Sequence, residues 1–161
     1  MKISLISVDN DIISHGVRSL SAFLKNNGYN TKVIFLPLGL NDKIYSAKIL
    51  DSVLDIVKND DLVGITSMTL TEPRARQVIE HLRNNDIKVI FGGIHTTIMP
   101  EEAIKYVDML CIGEGEQSFL ELVKHMDNGK DYSNIPNLWI KNENKVSKNP
   151  VDSLVDDLDF F

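Results

Sequence analysis

Residues suited to binding a small molecule directly follow four of the short apolar runs in this chain. Hydroxyl, carboxylate and imidazole groups can hydrogen-bond a ligand, and glycines let a ligand approach the backbone closely. The residues are Asp9, Asp11, His15 and Gly16 after the first run; Ser67, Met68, Thr69 and Thr71 after the third; Gly92, Gly93 and His95 after the fourth; and Gly113, Glu114, Gly115 and Glu116 after the fifth. They form one binding site only if the fold brings these stretches together.

Five apolar runs of strand length alternate with segments of helical periodicity. The runs are residues 3–8, 31–36, 62–66, 87–91 and 109–112. Apolar positions three or four residues apart predict a helix after each run. The second helix is expected to begin near Asp42, the third at Pro73, and a short fourth to run from Pro100 to about Val107.

This alternation is typical of α/β proteins, in which helices cover both faces of a parallel sheet. We predict a doubly wound five-stranded parallel sheet of the flavodoxin-like type, with strand order 2-1-3-4-5. Right-handed crossovers place the strand-to-helix loops at the carboxyl edge of the sheet, where ligands bind in such folds. The four stretches are therefore expected to converge there. A leucine at Gly93 is then expected to block a ligand by steric overlap, at a lower cost to the fold than a cavity in the core.

The pattern changes after Gly129. Residues 138–141 and 145–147 flank a polar turn and predict a C-terminal β-hairpin. The segment beyond Pro150 is acidic and apolar and ends on two phenylalanines. We divide the chain into an α/β domain over residues 1–129 and a hairpin with a linker over residues 130–161. The alternative for the last segment is an ordinary terminus that packs on its own domain.

Composition narrows the classes of function. The chain has 161 residues, 43% apolar and 25% charged, as expected for one soluble globular domain. A net charge of −6 without a basic run argues against a nucleic-acid partner. The single cysteine, Cys111, argues against disulfides and against a cysteine-ligated metal centre. No signal peptide or bilayer-spanning segment is evident, so we expect a cytoplasmic protein without a membrane partner.

Several chemistries found on this fold lack their residues here. A phosphoacceptor receiver needs an aspartate after strand three and a lysine after strand five, but these strands end in residues 66–67 and 113–114, which include neither. The loop after strand one is not the small, hydroxyl-rich phosphate loop of a flavodoxin. The dinucleotide fingerprint G-x-G-x-x-G is also missing there, and no set of nucleophile, histidine and acid is evident.

Three loops together resemble those of the cobalamin-binding domain that precedes many radical S-adenosylmethionine enzymes. They are Ser67-Met68-Thr69, Gly92-Gly93-Ile94-His95 and Gly113-Glu114-Gly115-Glu116. The first helix is similar through Gly16, Leu20 and Leu24, as is Gly28 before the second strand. The likeness covers residues 3–126, and the hairpin and terminal segment resemble the bridge into the radical domain.

The resemblance implies that the four loops bind cobalamin. Gly92 and Gly93 would let its nucleotide tail pass close to the strand ends, and Ser67, Thr69 and Thr71 would hydrogen-bond its phosphate or ring nitrogen. The implied parent enzyme is most often a methyltransferase, whose downstream domain uses S-adenosylmethionine and a [4Fe–4S] cluster. The three-cysteine motif for that cluster is absent from this sequence, so the chain alone is not expected to be an enzyme.

The histidines depart from related mutases and methionine synthase, which carry a cobalt-ligating histidine in an Asp-x-His-x-x-Gly motif. Asp11 occupies the histidine position here and Ser14 the glycine position, so histidine ligation of cobalt is not expected. His15 and His95 are expected in the site loops, with His95 contacting the corrin or a loop in preference to cobalt. His81 and His125 are expected to be solvated on helices.

Two alternatives remain open. Glu114 and Glu116 either contact the ligand or only begin the last helix, where carboxylates suit the helix dipole. The whole chain is either a cobalamin-binding module or a degenerate domain of the same fold that acts as a scaffold or interaction surface. A small independent hydrolase or transferase is disfavoured because no catalytic set is evident.

Overall fold

Strands and helices alternate along most of the chain. A computed structural model describes residues 1–9, 14–37, 44–142 and 145–152. The strands are β1 (Ile3–Ser7), β2 (Thr31–Phe35), β3 (Leu62–Thr66), β4 (Val89–Gly92), β5 (Met109–Cys111), β6 (Leu138–Asn142) and β7 (Lys145–Lys148). The helices are α1 (His15–Asn26), α2 (Ala47–Val57), α3 (Glu72–Arg83), α4 (Ile94–Ile98), α5 (Pro100–Ala103) and α6 (Glu116–Asp127), with a 3₁₀ turn at Thr69–Thr71.

The first five strands form a parallel sheet in the order β2-β1-β3-β4-β5, which confirms the predicted order. β1 pairs with β2 on one side and with β3 on the other, with Ile3 opposite both Thr31 and Leu62. The chain therefore adds β2 on one side of β1 and then β3, β4 and β5 on the other side, so the order in which strands are added reverses between β1 and β3. In doubly wound folds this switch point opens a crevice at the carboxyl ends of the strands.

The prediction of a five-stranded sheet is wrong, because the C-terminal hairpin joins it. β6 pairs antiparallel with β5, and β7 pairs antiparallel with β6, giving seven strands. Leu138 and Ile140 of β6 are 0% and 2% exposed, so the hairpin buries apolar side chains. It also covers the backbone groups that the edge of β5 would otherwise leave unpaired.

Helices cover both faces of the sheet, and strand residues alternate between the two faces as the period of two requires. One face packs against α1 and α6 through Ile3, Leu5, Val17, Leu24, Leu62, Ile90, Phe119 and Val123. The other face packs against α2, α3 and α5 through Ile6, Val53, Val57, Val63, Ile65, Val78, Ile79, Phe91 and Ala103. No helix within the described ranges is both long and apolar enough to cross a membrane.

The second helix starts later than predicted, at Ala47; Asp42 itself lies outside the described residues. The backbone N–H of Tyr45 donates to Gln77 Oε1 at 2.7 Å, and Gln77 Nε2 donates to the Tyr45 carbonyl at 2.9 Å. These two bonds tie the segment before α2 to α3, in place of helical bonds.

The helix predicted from Pro100 begins there but ends at Ala103, and a short helix that was not predicted precedes it. Helix starts at Ile94, directly after Gly93, breaks at Met99 and resumes only over Pro100–Ala103. Pro100 has no N–H to continue the bonding of α4, which explains the break. The start at Ile94 places α4 immediately at the carboxyl end of β4.

Candidate functional site

An open cleft of about 270 Å³ lies at the carboxyl edge of the sheet, between the sheet and helices α1 and α6. It reaches β1 and β3 on either side of the switch point and extends to β4 and β5. Its lining residues are Leu5, Ile6, Gly16, Val17, Leu20, Gly64, Ile65, Thr66, Ile90, Gly92, Gly93, Cys111, Gly113, Glu114, Gly115, Glu116 and Phe119. The cleft therefore has the position at which doubly wound folds bind ligands.

The inner walls of the cleft are apolar. Leu5 and Ile90 contribute from the sheet, Val17 from α1 and Phe119 from α6, and all four are at most 5% exposed. Leu20 of α1 is partly buried beside them. Such walls suit a flat apolar group better than a charged one.

Glycines keep the sheet side of the cleft open. A Cβ at Gly92 would make ordinary contact with Cys111 Cβ at 3.7 Å, so a side chain could start there and extend into the cleft. A Cβ at Gly64 would lie 2.9 Å from Leu5 Cδ2 and 3.1 Å from Phe119 Cε2. Gly64 therefore permits the close packing of β3 against its neighbours.

Gly93 has a different role from Gly92. Its φ of +102° favours glycine, and a Cβ there would lie 2.4 Å from Thr66 Oγ1 and 3.0 Å from the Ser67 carbonyl oxygen. A leucine at Gly93 would collide with the protein's own chain in a strained backbone conformation, so it would disturb the turn itself as well as block a ligand. Gly92 is the position at which added bulk enters the cleft.

Thr66, which sequence reasoning missed, lines the cleft at the end of β3. Its neighbour Ser67 was predicted in its place, but it is 1% exposed and is not among the lining residues. The alternation of β3 was an available signal, because Leu62, Gly64 and Thr66 must share one face. Within the described residues, Ser67 Oγ has no hydrogen-bond partner.

His95 lies in α4, not in a loop, and is 6% exposed. Its ring centroid is 6.0 Å from that of Phe91, whose side chain packs in the core on the α3 face. Its backbone N–H donates to the Ser67 carbonyl at 3.2 Å, joining the ends of β3 and β4. Neither ring nitrogen has a hydrogen-bond partner among the described residues. The imidazole does not line the cleft.

Asp9 ties the loop after β1 to the loop after β3. Its Oδ1 accepts hydrogen bonds from the Met68 N–H, at 3.0 Å, and from the Thr71 hydroxyl. The Thr71 hydroxyl also lies 3.1 Å from the Met68 carbonyl. Asp9 and Thr71 thus hold the shape of the loop, while Met68 and Thr69 are exposed on it. None of these four side chains lines the cleft.

The first helix contributes Gly16 to the cleft, and a Cβ there would meet nothing within 4 Å. His15, the first residue of α1, is exposed and outside the lining. Asp11 lies outside the described residues.

His81 and His125 are not fully solvated as predicted, because both are partly buried. His81 Nε2 lies 3.4 Å from Asp51 Oδ1, and His125 Nδ1 lies against the Asp131 carbonyl.

The loop after β5 forms the remaining side of the cleft, with Gly113, Glu114, Gly115 and Glu116 all in the lining. The Gly113 N–H donates to Thr97 Oγ1 at 3.0 Å, and the Glu114 carbonyl accepts from Asn137 Nδ2 at 2.8 Å. Glu116 is also the first residue of α6. Glu114 and Glu116 thus lie where they could contact a ligand, and Glu116 also begins the last helix, so both alternatives for these residues stay open.

Cys111 stands in the cleft wall as a neutral thiol. Burial, with a smaller contribution from the charge of Glu116, raises the pKa of Cys111 to about 12. It is the last residue of β5. No group of three or more histidine, cysteine, aspartate or glutamate side chains suited to a metal ion occurs in the described parts of the chain.

The chain is similar to proteins of one family. Residues 1–123 match the family model described as the B12 binding domain. The chain is 30% identical over 152 residues to the anaerobic magnesium-protoporphyrin IX monomethyl ester cyclase of Rubrivivax gelatinosus, covering 89% of this chain and 27% of the cyclase. It is 33% identical over 70 residues to the bacteriochlorophyllide d C-8(2)-methyltransferase of Chlorobaculum tepidum, covering 44% of this chain and 16% of that protein. The chain thus spans under a third of these relatives.

The fold is similar to that of a radical S-adenosylmethionine methyltransferase, TsrM from Kitasatospora setae, solved with cobalamin and a [4Fe–4S] cluster bound. The TM-score is 0.75 at 23% identity, over 98% of this chain and 30% of TsrM. This likeness establishes the fold, and the family match over residues 1–123 establishes the family. The chain belongs to the B12-binding domain family.

Proposed function

We propose that this domain binds cobalamin, with the nucleotide tail of the cofactor in the cleft between the sheet and helices α1 and α6. The observation that carries the proposal is the cleft itself. The cleft opens at the switch point, and its inner walls are apolar. Residue 92 is a glycine, and a side chain at that position would fill the cleft. Cobalamin is nearly neutral overall and has a flat, apolar base at the end of its tail, which suits these walls.

The surface beside the mouth of the cleft suits the corrin ring. Residues 66–71 and 92–99 contain no aspartate, glutamate, lysine or arginine. Met68, Leu70, Ile94 and Ile98 are 44%, 89%, 57% and 63% exposed on these two adjoining segments. A broad ring with uncharged amide arms can lie against such a surface without burying a charge.

We further infer that the domain is a module of a radical S-adenosylmethionine enzyme of the methyltransferase class. The names of the relatives support this, since TsrM and the Chlorobaculum protein are methyltransferases. The segment after the hairpin would lead to a domain that uses S-adenosylmethionine and a [4Fe–4S] cluster. The hairpin of β6 and β7 would then form the edge of this sheet and also precede the link to that domain.

Retention of a red chromophore tests cobalamin binding. The purified domain is mixed with a small excess of hydroxocobalamin, passed through a gel-filtration column, and measured by its corrin absorbance. We expect about one cobalamin for each folded domain. A folded domain that elutes colourless would contradict the proposal and favour the scaffold alternative.

Gly92→Leu tests where the tail lies. The added side chain has room at its Cβ and should occupy the cleft, so cobalamin affinity should fall at least tenfold while the fold persists. Ala22→Leu is the matched control, because Ala22 lies on the exposed side of α1. Equal affinities in the two folded variants would place the tail elsewhere.

A further inference from the structure

The cleft offers few polar groups to whatever fills it, and this limits which forms of the proposed cofactor it can hold. Its inner side chains are Leu5, Val17, Leu20, Ile90 and Phe119, none of which can hydrogen-bond. The strand backbones beside them are paired within the sheet. A polar group placed at this depth would lose its water and gain no partner.

The polar side chains of the described lining lie toward the edge of the sheet. Thr66 ends β3, with its hydroxyl directed at Gly93, where an added Cβ would come within 2.4 Å of it. Cys111 ends β5 and carries a buried thiol, which is a weak donor. Glu116 begins α6, one helical turn nearer that edge than Phe119. Glu114, which follows β5, is the other charged side chain of this lining. Among the neutral side chains of the described lining, the Thr66 hydroxyl is the one able to make a strong hydrogen bond.

Cobamides share the corrin ring and differ in the base of their nucleotide tail. A benzimidazole joined to ribose through one ring nitrogen keeps a single free polar atom, the other ring nitrogen. A phenolic base joined through its oxygen keeps none. An adenine keeps several, namely its remaining ring nitrogens and its amino group. The three classes therefore need different numbers of partners from the cleft.

Resting on the proposed function, we propose that this cleft selects cobamides with a benzimidazole base and rejects those with an adenine base. The Thr66 hydroxyl can pair with the one free nitrogen of a benzimidazole, while the apolar walls receive its carbon rings. An adenine would leave at least two polar atoms unpaired against Leu5, Ile90 and Phe119. Each such loss is expected to weaken binding by roughly tenfold.

Affinities for four corrinoids test the proposal: cobalamin, which has a dimethylbenzimidazole base, a p-cresolyl cobamide, the adenine form pseudocobalamin, and cobinamide, which has no nucleotide. Equilibrium dialysis of the domain with each aquo form, measured by corrin absorbance, gives the dissociation constants. We expect cobalamin to bind most tightly, the cresolyl form about tenfold more weakly, and pseudocobalamin about 100-fold more weakly. Pseudocobalamin affinity within threefold of that of cobalamin would overturn the selectivity.

Cobinamide separates this inference from the proposed function. If cobinamide binds as tightly as cobalamin, the corrin is bound without help from the cleft, and base selectivity is refuted while cobalamin binding stands. If no corrinoid binds, both proposals fail. Weaker binding of cobinamide than of cobalamin supports a tail held in the cleft.

Variants at two residues, Thr66 and Leu20, test which side chains determine the selectivity. Thr66→Val should weaken cobalamin binding about tenfold and leave the cresolyl form unchanged, whereas Thr66→Ser keeps the hydroxyl and should behave as the wild type. Leu20→Gln places an amide in the cleft at a partly exposed position, so pseudocobalamin should gain affinity relative to cobalamin. Equal effects of Thr66→Val on the binding of the cobalamin and cresolyl forms would show that the Thr66 hydroxyl does not bond the base nitrogen.

Discussion

Asp9 shows how a residue that looks like a ligand contact can act inside the protein. Its Oδ1 accepts hydrogen bonds from the Met68 N–H and the Thr71 hydroxyl, and its side chain does not line the cleft. Both bonds end on the same oxygen, so an asparagine whose amide oxygen takes that place can accept them too. This provides a sharp test of its role.

Asp9→Ala should lower the free energy of unfolding by about 1–3 kcal/mol, because two donors of the loop lose their partner. Asp9→Asn should recover most of that loss. Urea denaturation followed by circular dichroism measures both. Hydrogen exchange at the Met68 amide should be faster in the alanine variant only. An asparagine variant as unstable as the alanine variant would show that the charge of Asp9, not its hydrogen bonding, matters.

The placement of the histidines predicts how cobalt is ligated. His95 is buried against Phe91, and Asp11 occupies the histidine position of the Asp-x-His-x-x-Gly motif in the sequence. Electron paramagnetic resonance of the cobalt(II) form bound to the domain should therefore show no coupling to a histidine nitrogen. A coupling that disappears in His95→Ala or His15→Ala would contradict this.

The turn from β4 into α4 depends on two neighbouring glycines with separate roles. Gly93 adopts a φ of +102° and leaves no room for a Cβ, whereas Gly92 has room for one. The first is required by the protein's own backbone, and the second keeps the cleft open. Substituting each in turn by alanine separates the two.

Gly93→Ala should destabilise the domain by about 1–3 kcal/mol, from backbone strain and the contact with Thr66 Oγ1. Gly92→Ala should change stability by less than about 0.5 kcal/mol, since its Cβ would meet only ordinary contacts. Urea midpoints of the two variants provide the comparison. Similar losses of stability in the two variants would contradict the separate roles of Gly92 and Gly93 in this turn.

The hairpin is an element of the sheet, since β6 covers β5 and buries Leu138 and Ile140. A chain cut after residue 129 should therefore lose stability and expose the edge of β5 to other molecules. Thermal unfolding and gel filtration of residues 1–129 beside residues 1–152 measure this. A shortened chain that stays monomeric and equally stable would support a domain boundary at residue 129.

The chain has the parts that a cofactor-binding module needs. The cleft and the apolar surface beside it need only loops held on a rigid sheet. Cleavage of S-adenosylmethionine by a radical enzyme needs a [4Fe–4S] cluster, which is held by several cysteine thiolates, and this sequence contains one cysteine.

We predict that the chain alone binds cobalamin and does not cleave S-adenosylmethionine. Reconstitution with iron and sulfide should yield no stable cluster, and addition of reductant and S-adenosylmethionine should yield no 5′-deoxyadenosine above a protein-free blank. Chromatographic analysis of the reaction mixture measures the product. Turnover that depends on this chain and on cobalamin would show that it contains catalytic machinery of its own.

Local patterns of the sequence determined the five βα units and the convergence of their loops. An apolar run such as residues 62–66 is a local pattern, and a strand buried on both faces requires it. The spacing of Val78 and Leu82 is also local, and it is required by a helix that buries one face. The right-handed crossover connections between parallel strands then place the strand-to-helix loops on one edge of the sheet. The periodicity does not encode the order of the strands; the order was expected because five units fill the flavodoxin-like fold, and the structure confirms it.

Only the tertiary structure decided which side chains enter the cleft and how the sheet ends. The alternation of β3 places Thr66 on the same face as Gly64, but the cleft on that face forms only where α1 and α6 pack beside the sheet. The role of Asp9 depends on a loop 59 positions away in the chain. The addition of the hairpin to β5 depends on an open edge and on apolar side chains that meet only in the folded protein. Contacts between distant segments set these features, because no local pattern encodes which segments will meet.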